Sequence, residues 1–157
     1  MARLPAEAGS LNGRRLNILI IDPEEDFQRA IVQQVRLLGH IATALSNCTD
    51  AWMMMQSVHF DLVILDLETP AISALELARR ARAQQDGVTI IATSHNVSAR
   101  NRLGQQLARS NGIAQVIHKG VPTKSFVLEV QDCLEMAATS SPPAKQTEPT
   151  ILVAEAD

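Results

Sequence analysis

Asp66 ends an apolar run that starts at Phe60, and Pro70 follows it closely. Such a run reads as a buried strand that delivers one carboxylate to its C-terminal end and then breaks into a loop. A carboxylate placed there can serve as a metal ligand, a nucleophile or a structural cap. Three more polar side chains end apolar runs in the same manner: Asp22, Ser94 and Lys119. Each has an ordinary explanation when taken singly. Asp22 precedes a proline and fits a turn, Ser94 fits a strand-end hydroxyl, and Lys119 before Gly120 fits a solvated turn. Their common position at strand ends makes them a constellation.

The elements that must position them alternate along the chain. Residues 16–21 form a short Ile-rich run, the pattern of a strand buried on both faces. A helical stripe follows through Phe27, Ala30, Ile31, Val35 and Leu38, with Gly39 as its C-terminal cap. Residues 41–45 predict a second strand. Asn47 or Thr49 caps a helix through Ala51, Trp52, Met55 and Val58, in which Met53, Met54 and Met55 read as core filler. The third strand is 62–65, closed by Asp66. Ser73 and Glu76 have the spacing of a capping box at the start of a helix over 74–83. A fourth strand spans 88–92. A helix from Ser98 to about Ser110 follows, weakened by Gly104. The fifth strand is 114–117, and Pro122 opens a last helix through Phe126, Val127, Val130 and Leu134.

Five βα units predict an α/β fold, a doubly wound parallel sheet with helices on both faces. Right-handed crossovers leave few topologies, and the flavodoxin-like (βα)5 order 2-1-3-4-5 is the expected one. It sets strands 1 and 3 side by side at the switch point, which brings Asp22 and Asp66 to the same edge. Ligands bind at that edge in open α/β sheets.

Composition removes other classes. The 157 residues are 46% hydrophobic and 20% charged, an ordinary globular balance. A net charge of -3, one Trp, three Phe and no Tyr argue against a nucleic-acid binder. Arg79, Arg80 and Arg82 read as a solvated helix face. Cys48 and Cys133 are far apart and suit a reducing compartment. No apolar run approaches the roughly 18 residues of a membrane span, and Met1 to Arg15 lacks a signal-peptide core. A cytoplasmic location without membrane contact is expected.

The domain itself is read as residues 14–136, after an N-terminal linker at 1–13. Residues 137–149, rich in Ala, Ser, Thr and Pro, read as a flexible linker. Residues 150–157 then repeat the apolar-then-acidic pattern that ends at Asp22 and Glu24. They are expected to begin a second, truncated copy of the domain, the alternative being a tail docked as an extra strand.

The stretch from about Leu16 to Leu134 resembles the receiver domain of two-component response regulators. The likeness is carried by Ile20-Ile21-Asp22, the run from Asp61 to Asp66, Pro70, Ser94 and Lys119. It implies that Asp66 is the phospho-acceptor, Ser94 the switch hydroxyl and Lys119 the phosphoryl contact. It implies a Mg²⁺ site built from Asp22, Asp66 and Glu68, the last through its carbonyl or carboxylate. The implied partners are a histidine kinase or phosphotransfer domain and neighbouring domains of one multidomain protein, such as a hybrid sensor histidine kinase with tandem receivers.

Several positions depart from the family pattern. Pro23 stands where receivers carry a second acid, so Mg²⁺ binding is expected to be weak or lost, with Glu24 as a compensating ligand. His95 replaces a small residue, Val116 an aromatic one, Ala74 a glycine, and Gly120 a proline, so the Lys119–Gly120 bond is expected to be trans. Two functions follow: a weakened but working phospho-receiver, or a degenerate receiver acting as an interaction module independent of phosphorylation. A flavodoxin-like enzyme is disfavoured by the absence of a Gly-rich phosphate loop. His95 and His118 lie near the acidic edge; ordinary loop histidines are preferred to a transition-metal site.

Overall fold

The computed structural model describes residues 14–69 and 73–140. The linker read at 1–13, Pro70 and the apolar segment at 150–157 lie outside the described residues. The elements are β1 (Asn17–Ile21), α1 (Glu25–Leu37), β2 (Ile41–Leu45), α2 (Cys48–Met55), β3 (Leu62–Asp66), α3 (Ala74–Gln84), β4 (Thr89–Ser94), α4 (Val97–Arg100), α5 (Arg102–Ser110), β5 (Gln115–His118) and α6 (Thr123–Ser140).

The strands form one parallel sheet in the order β2-β1-β3-β4-β5, as the alternating pattern predicts. Side chains alternate across it because successive residues of a strand face opposite ways. Ile18 and Ile20 of β1 and Leu62 and Ile64 of β3 pack with Ile31, Val35, Phe126 and Val130 of α1 and α6. Leu19, Ile21, Val63 and Leu65 pack on the other face with Ala51, Met55, Leu77 and Ala78 of α2 and α3. All five residues of β3 are buried. Each such Ile or Leu contributes about 1.5–3 kcal/mol by leaving water. The strand that carries Asp66 is thereby fixed on both faces.

Five local expectations are corrected. The helix read from Ser98 to about Ser110 is two helices broken at Asn101. The Asn96 side chain accepts from Ser98 N, and Asn101 accepts from Gly104 N at 2.9 Å. Two Asn caps outbid a continuous backbone ladder. Gly104 is a close approach rather than a weak point: a Cβ there would strike the Ala99 carbonyl. Ser73 accepts from Glu76 N at 3.1 Å, but Glu76 turns to Arg79 and Arg80, so the capping box is half made. Of the methionine run Met55 is buried in the core and Met54 packs partly buried against it, but Met53 is 66% exposed. Finally, residues 137–140, read as the start of a linker, belong to α6, which runs to Ser140. Ala137 and Ala138 extend a helix readily, and the first prolines come only at 142 and 143.

Candidate functional site

Asp22 follows β1 directly and is buried. Its amide donates to Leu45 O at 3.0 Å, and its Oδ1 accepts from Glu24 N at 2.8 Å. The second bond is an Asx turn, and it folds Glu24 back over the pocket. Asp66, 2% exposed, is the last residue of β3. Thr69 Oγ1 donates to Asp66 O at 2.8 Å and lies 3.2 Å from Asp66 Oδ2. Thr69 does not end an apolar run; its spacing of three from Asp66, which lets its hydroxyl donate back to that carbonyl, is the only signal.

Lys119 lies just past β5, tied to β4 by its amide donating to Ser94 O at 3.1 Å. Its ammonium reaches three carboxylates: Asp22 Oδ2 at 2.8 Å, Glu24 Oε1 at 3.2 Å and Asp66 Oδ1 at 3.4 Å. The contact with Asp22 is ionic and off the hydrogen-bond direction, so Asp22 Oδ2 has a counter-charge but no directed donor. The ammonium also sits 4.8 Å from the centre of the Phe27 ring, a cation–π contact, and Phe27 meets Phe126 edge-on at 5.5 Å. Phe27 reads in sequence as one more apolar residue of a helical stripe, which hides this role.

These charges shift one another. Burial raises the Asp66 carboxyl above its ordinary range; Lys119 opposes this, while Asp22 and Glu68 add to it. Burial alone would lower the Lys119 ammonium, but contact with Asp22 and the charges of Asp22 and Asp66 outweigh it and raise it. Glu24 is lowered, first by its contact with Lys119.

Ser94 and Glu68 form a second group. Ser94 Oγ donates to Glu68 Oε2 at 2.6 Å and accepts from Asn96 N at 2.9 Å. His95 N lies 3.4 Å from Glu68 Oε1. Thus Asp22, Glu24, Asp66 and Lys119 gather in one pocket, while Glu68 turns its carboxylate toward the end of β4. His95 reaches outward to Glu24 Oε2 at 3.3 Å, and the His118 ring lies against Gly120. Among the described residues, no three His, Cys, Asp or Glu side chains are disposed to hold a metal. No peptide bond of the described residues is cis, Lys119–Gly120 included.

The sequence matches the response regulator receiver domain family over residues 18–131. The chain belongs to that family. As a receiver domain it is similar to part of the virulence sensor protein BvgS of Bordetella pertussis, 26% identical over 136 residues. That match covers 83% of this chain and 11% of BvgS, so the chain spans about a tenth of this relative. A CheY-like receiver from Methanospirillum hungatei has the same fold, with a TM-score of 0.71 at 16% identity, over 82% of this chain and 100% of that one. TrrA of Thermotoga maritima, solved in complex with Mg(2+)-BeF, gives a TM-score of 0.63 at 24% identity, over 75% of this chain and 98% of TrrA. No described helix of the receiver is long and apolar enough to cross a membrane.

Proposed function

We propose that Asp66 accepts a phosphoryl group from the phosphohistidine of a histidine kinase or phosphotransfer domain. The observation that carries this reading is the buried Asp66 carboxylate, at the end of the central strand, beside the Lys119 ammonium. In the step, an Asp66 carboxylate oxygen bonds to phosphorus as the phosphorus–nitrogen bond to the donor imidazole breaks. The electron pair of that bond stays on the ring nitrogen. Lys119, already 3.4 Å from Asp66, follows the negative charge onto the new phosphoryl oxygens. Water later cleaves the acyl phosphate and restores the carboxylate.

The donor set suits Mg²⁺, which takes hard oxygens and is commonly held by one or two carboxylates plus water. Asp22 and Asp66 would hold it, with the Glu68 backbone carbonyl, since the Glu68 carboxylate is engaged by Ser94 and His95, and with Glu24 as a compensating ligand. The buried Asp22 Oδ2, without a directed donor, supports this fit. When bound, Mg²⁺ neutralises charge on the phosphoryl group during transfer. Its affinity is low in this reading, because Pro23 replaces one acid and the Lys119 ammonium already sits among three carboxylates. Similarity to part of BvgS supports a place within a cytoplasmic portion of a multidomain hybrid sensor kinase, whose other domains are then partners.

A second reading, a degenerate receiver that works by contact alone, is favoured by the engagement of Ser94 with Glu68. Mass spectrometry after incubation with acetyl phosphate and saturating Mg²⁺ decides between them. One phosphate adduct, lost in Asp66→Asn, is expected. No adduct at any Mg²⁺ concentration would end the first reading.

A further inference from the structure

Ser94 has one hydroxyl proton, and it is already committed. A hydroxyl donates once and accepts through its lone pairs, whereas an ionised carboxylate only accepts. Ser94 Oγ spends its proton on Glu68 Oε2 at 2.6 Å, within the range of a charge-assisted bond, and receives Asn96 N at 2.9 Å. The other oxygen of the same carboxylate, Glu68 Oε1, faces His95 N at 3.4 Å. One carboxylate thus spans the two consecutive donors that end β4. It does so close enough to the Asp66 carboxylate for its charge to raise that group.

We propose that Glu68 is a built-in anion that occupies the donors Ser94 Oγ–H and His95 N–H in place of a phosphoryl group, and so sets how strongly this receiver responds to one. This rests on the reading of Asp66 as phospho-acceptor. A phosphoryl oxygen on Asp66 must displace Glu68 to reach the hydroxyl, and two anions then compete for one donor. Until that happens the turn through Ser94, His95 and Asn96 is held by the chain's own carboxylate. Glu68 acts as a specificity-determining residue: it weakens anion binding by occupancy and by like charge, and holds the switch loop engaged without a phosphate. In sequence Glu68 stands among the candidate metal ligands; the engagement of its carboxylate by Ser94 and His95 shows only in the folded chain.

The test uses the full chain and its Glu68→Gln and Glu68→Ala variants, with circular dichroism and thermal melting to show that all three fold. Amide NMR in chelator, without phosphate, reads the loop directly. In Glu68→Ala the His95 and Asn96 resonances move and their hydrogen exchange quickens; unchanged resonances overturn the proposal. Titration with beryllofluoride and Mg²⁺ then reads the competition. Both variants bind the mimic about tenfold more tightly than the wild type, the factor that one charge-assisted bond accounts for. Equal binding by all three forms overturns the proposal and leaves Asp66 as acceptor. Binding by none of them sinks the acceptor reading, and the proposal with it.

Discussion

The two halves of the site handle negative charge in opposite ways. On the side of β1, β3 and β5, Asp22 and Asp66 are buried and share an internal cation, Lys119, whose side chain is 2% exposed. On the side of β4, Glu68 stays at the surface, held by a hydroxyl and an amide. The first half is held by Coulomb attraction between buried groups. Removing one partner there leaves buried charge uncompensated. The second half is held by hydrogen bonds at the rim, where water can replace what is lost. The buried half is therefore expected to govern stability, and the rim half to govern response.

The largest expected effect comes from Lys119→Met, which leaves Asp22 and Asp66 without their cation. Urea unfolding at neutral pH should show a loss of about 3 kcal/mol. A loss no greater than an exposed ion pair gives, below about 1 kcal/mol, would break the contrast between the two halves.

Asp66→Asn should act in the other direction. Burial first, then Asp22 and Glu68, raise the Asp66 carboxyl, so its ionised form is the costly one in the fold. Stability tied to Asp66 is full below its unfolded-state pKa and is lost as pH rises through the higher folded-state value. The variant escapes that loss. In chelator it should gain about 1 kcal/mol at neutral pH, the gain shrinking as pH falls into the acid range. A gain that grows in acid would mean that Lys119 overcompensates the burial.

Thr69→Val removes the hydroxyl that donates to Asp66 O and should cost about 1 kcal/mol. Glu68→Gln should change stability least, by less than about 0.5 kcal/mol, because Glu68 is exposed. A larger loss from this rim variant than from Thr69→Val would show that the rim is structural after all.

The order of strands and the residues at their ends were legible because burial writes itself into apolar runs. β1 and β3 are bounded by Asp22 and Asp66 in sequence and in space alike. The pairing of side chains was not legible in the same way. Glu24 was expected as a compensating metal ligand, and an Asx turn at Asp22 folds its carboxylate to within 3.2 Å of the Lys119 ammonium. Glu68 was expected near the metal ligands, and its carboxylate lies with Ser94 instead. Neither outcome leaves a trace in hydrophobic periodicity, since both depend on turn dihedrals and rotamers. The break at Asn101 was hidden for a related reason: Asn96 and Asn101 cap locally, and no change in apolar pattern marks that competition.

That break has a consequence in time. α4 is four residues long, too short to persist as a helix without its neighbours. Among α5 residues only Ala108 is buried, with Leu103 and Leu107 at 74% and 56% exposure. Little apolar surface must be uncovered to open this corner, so its local opening free energy lies far below that of β3. Amide protons of α4 and α5 should exchange while those of β1 and β3 are still protected. The corner that begins at Ser94 thus samples open forms many times during the life of one folded sheet, while the strand that carries Asp66 stays closed.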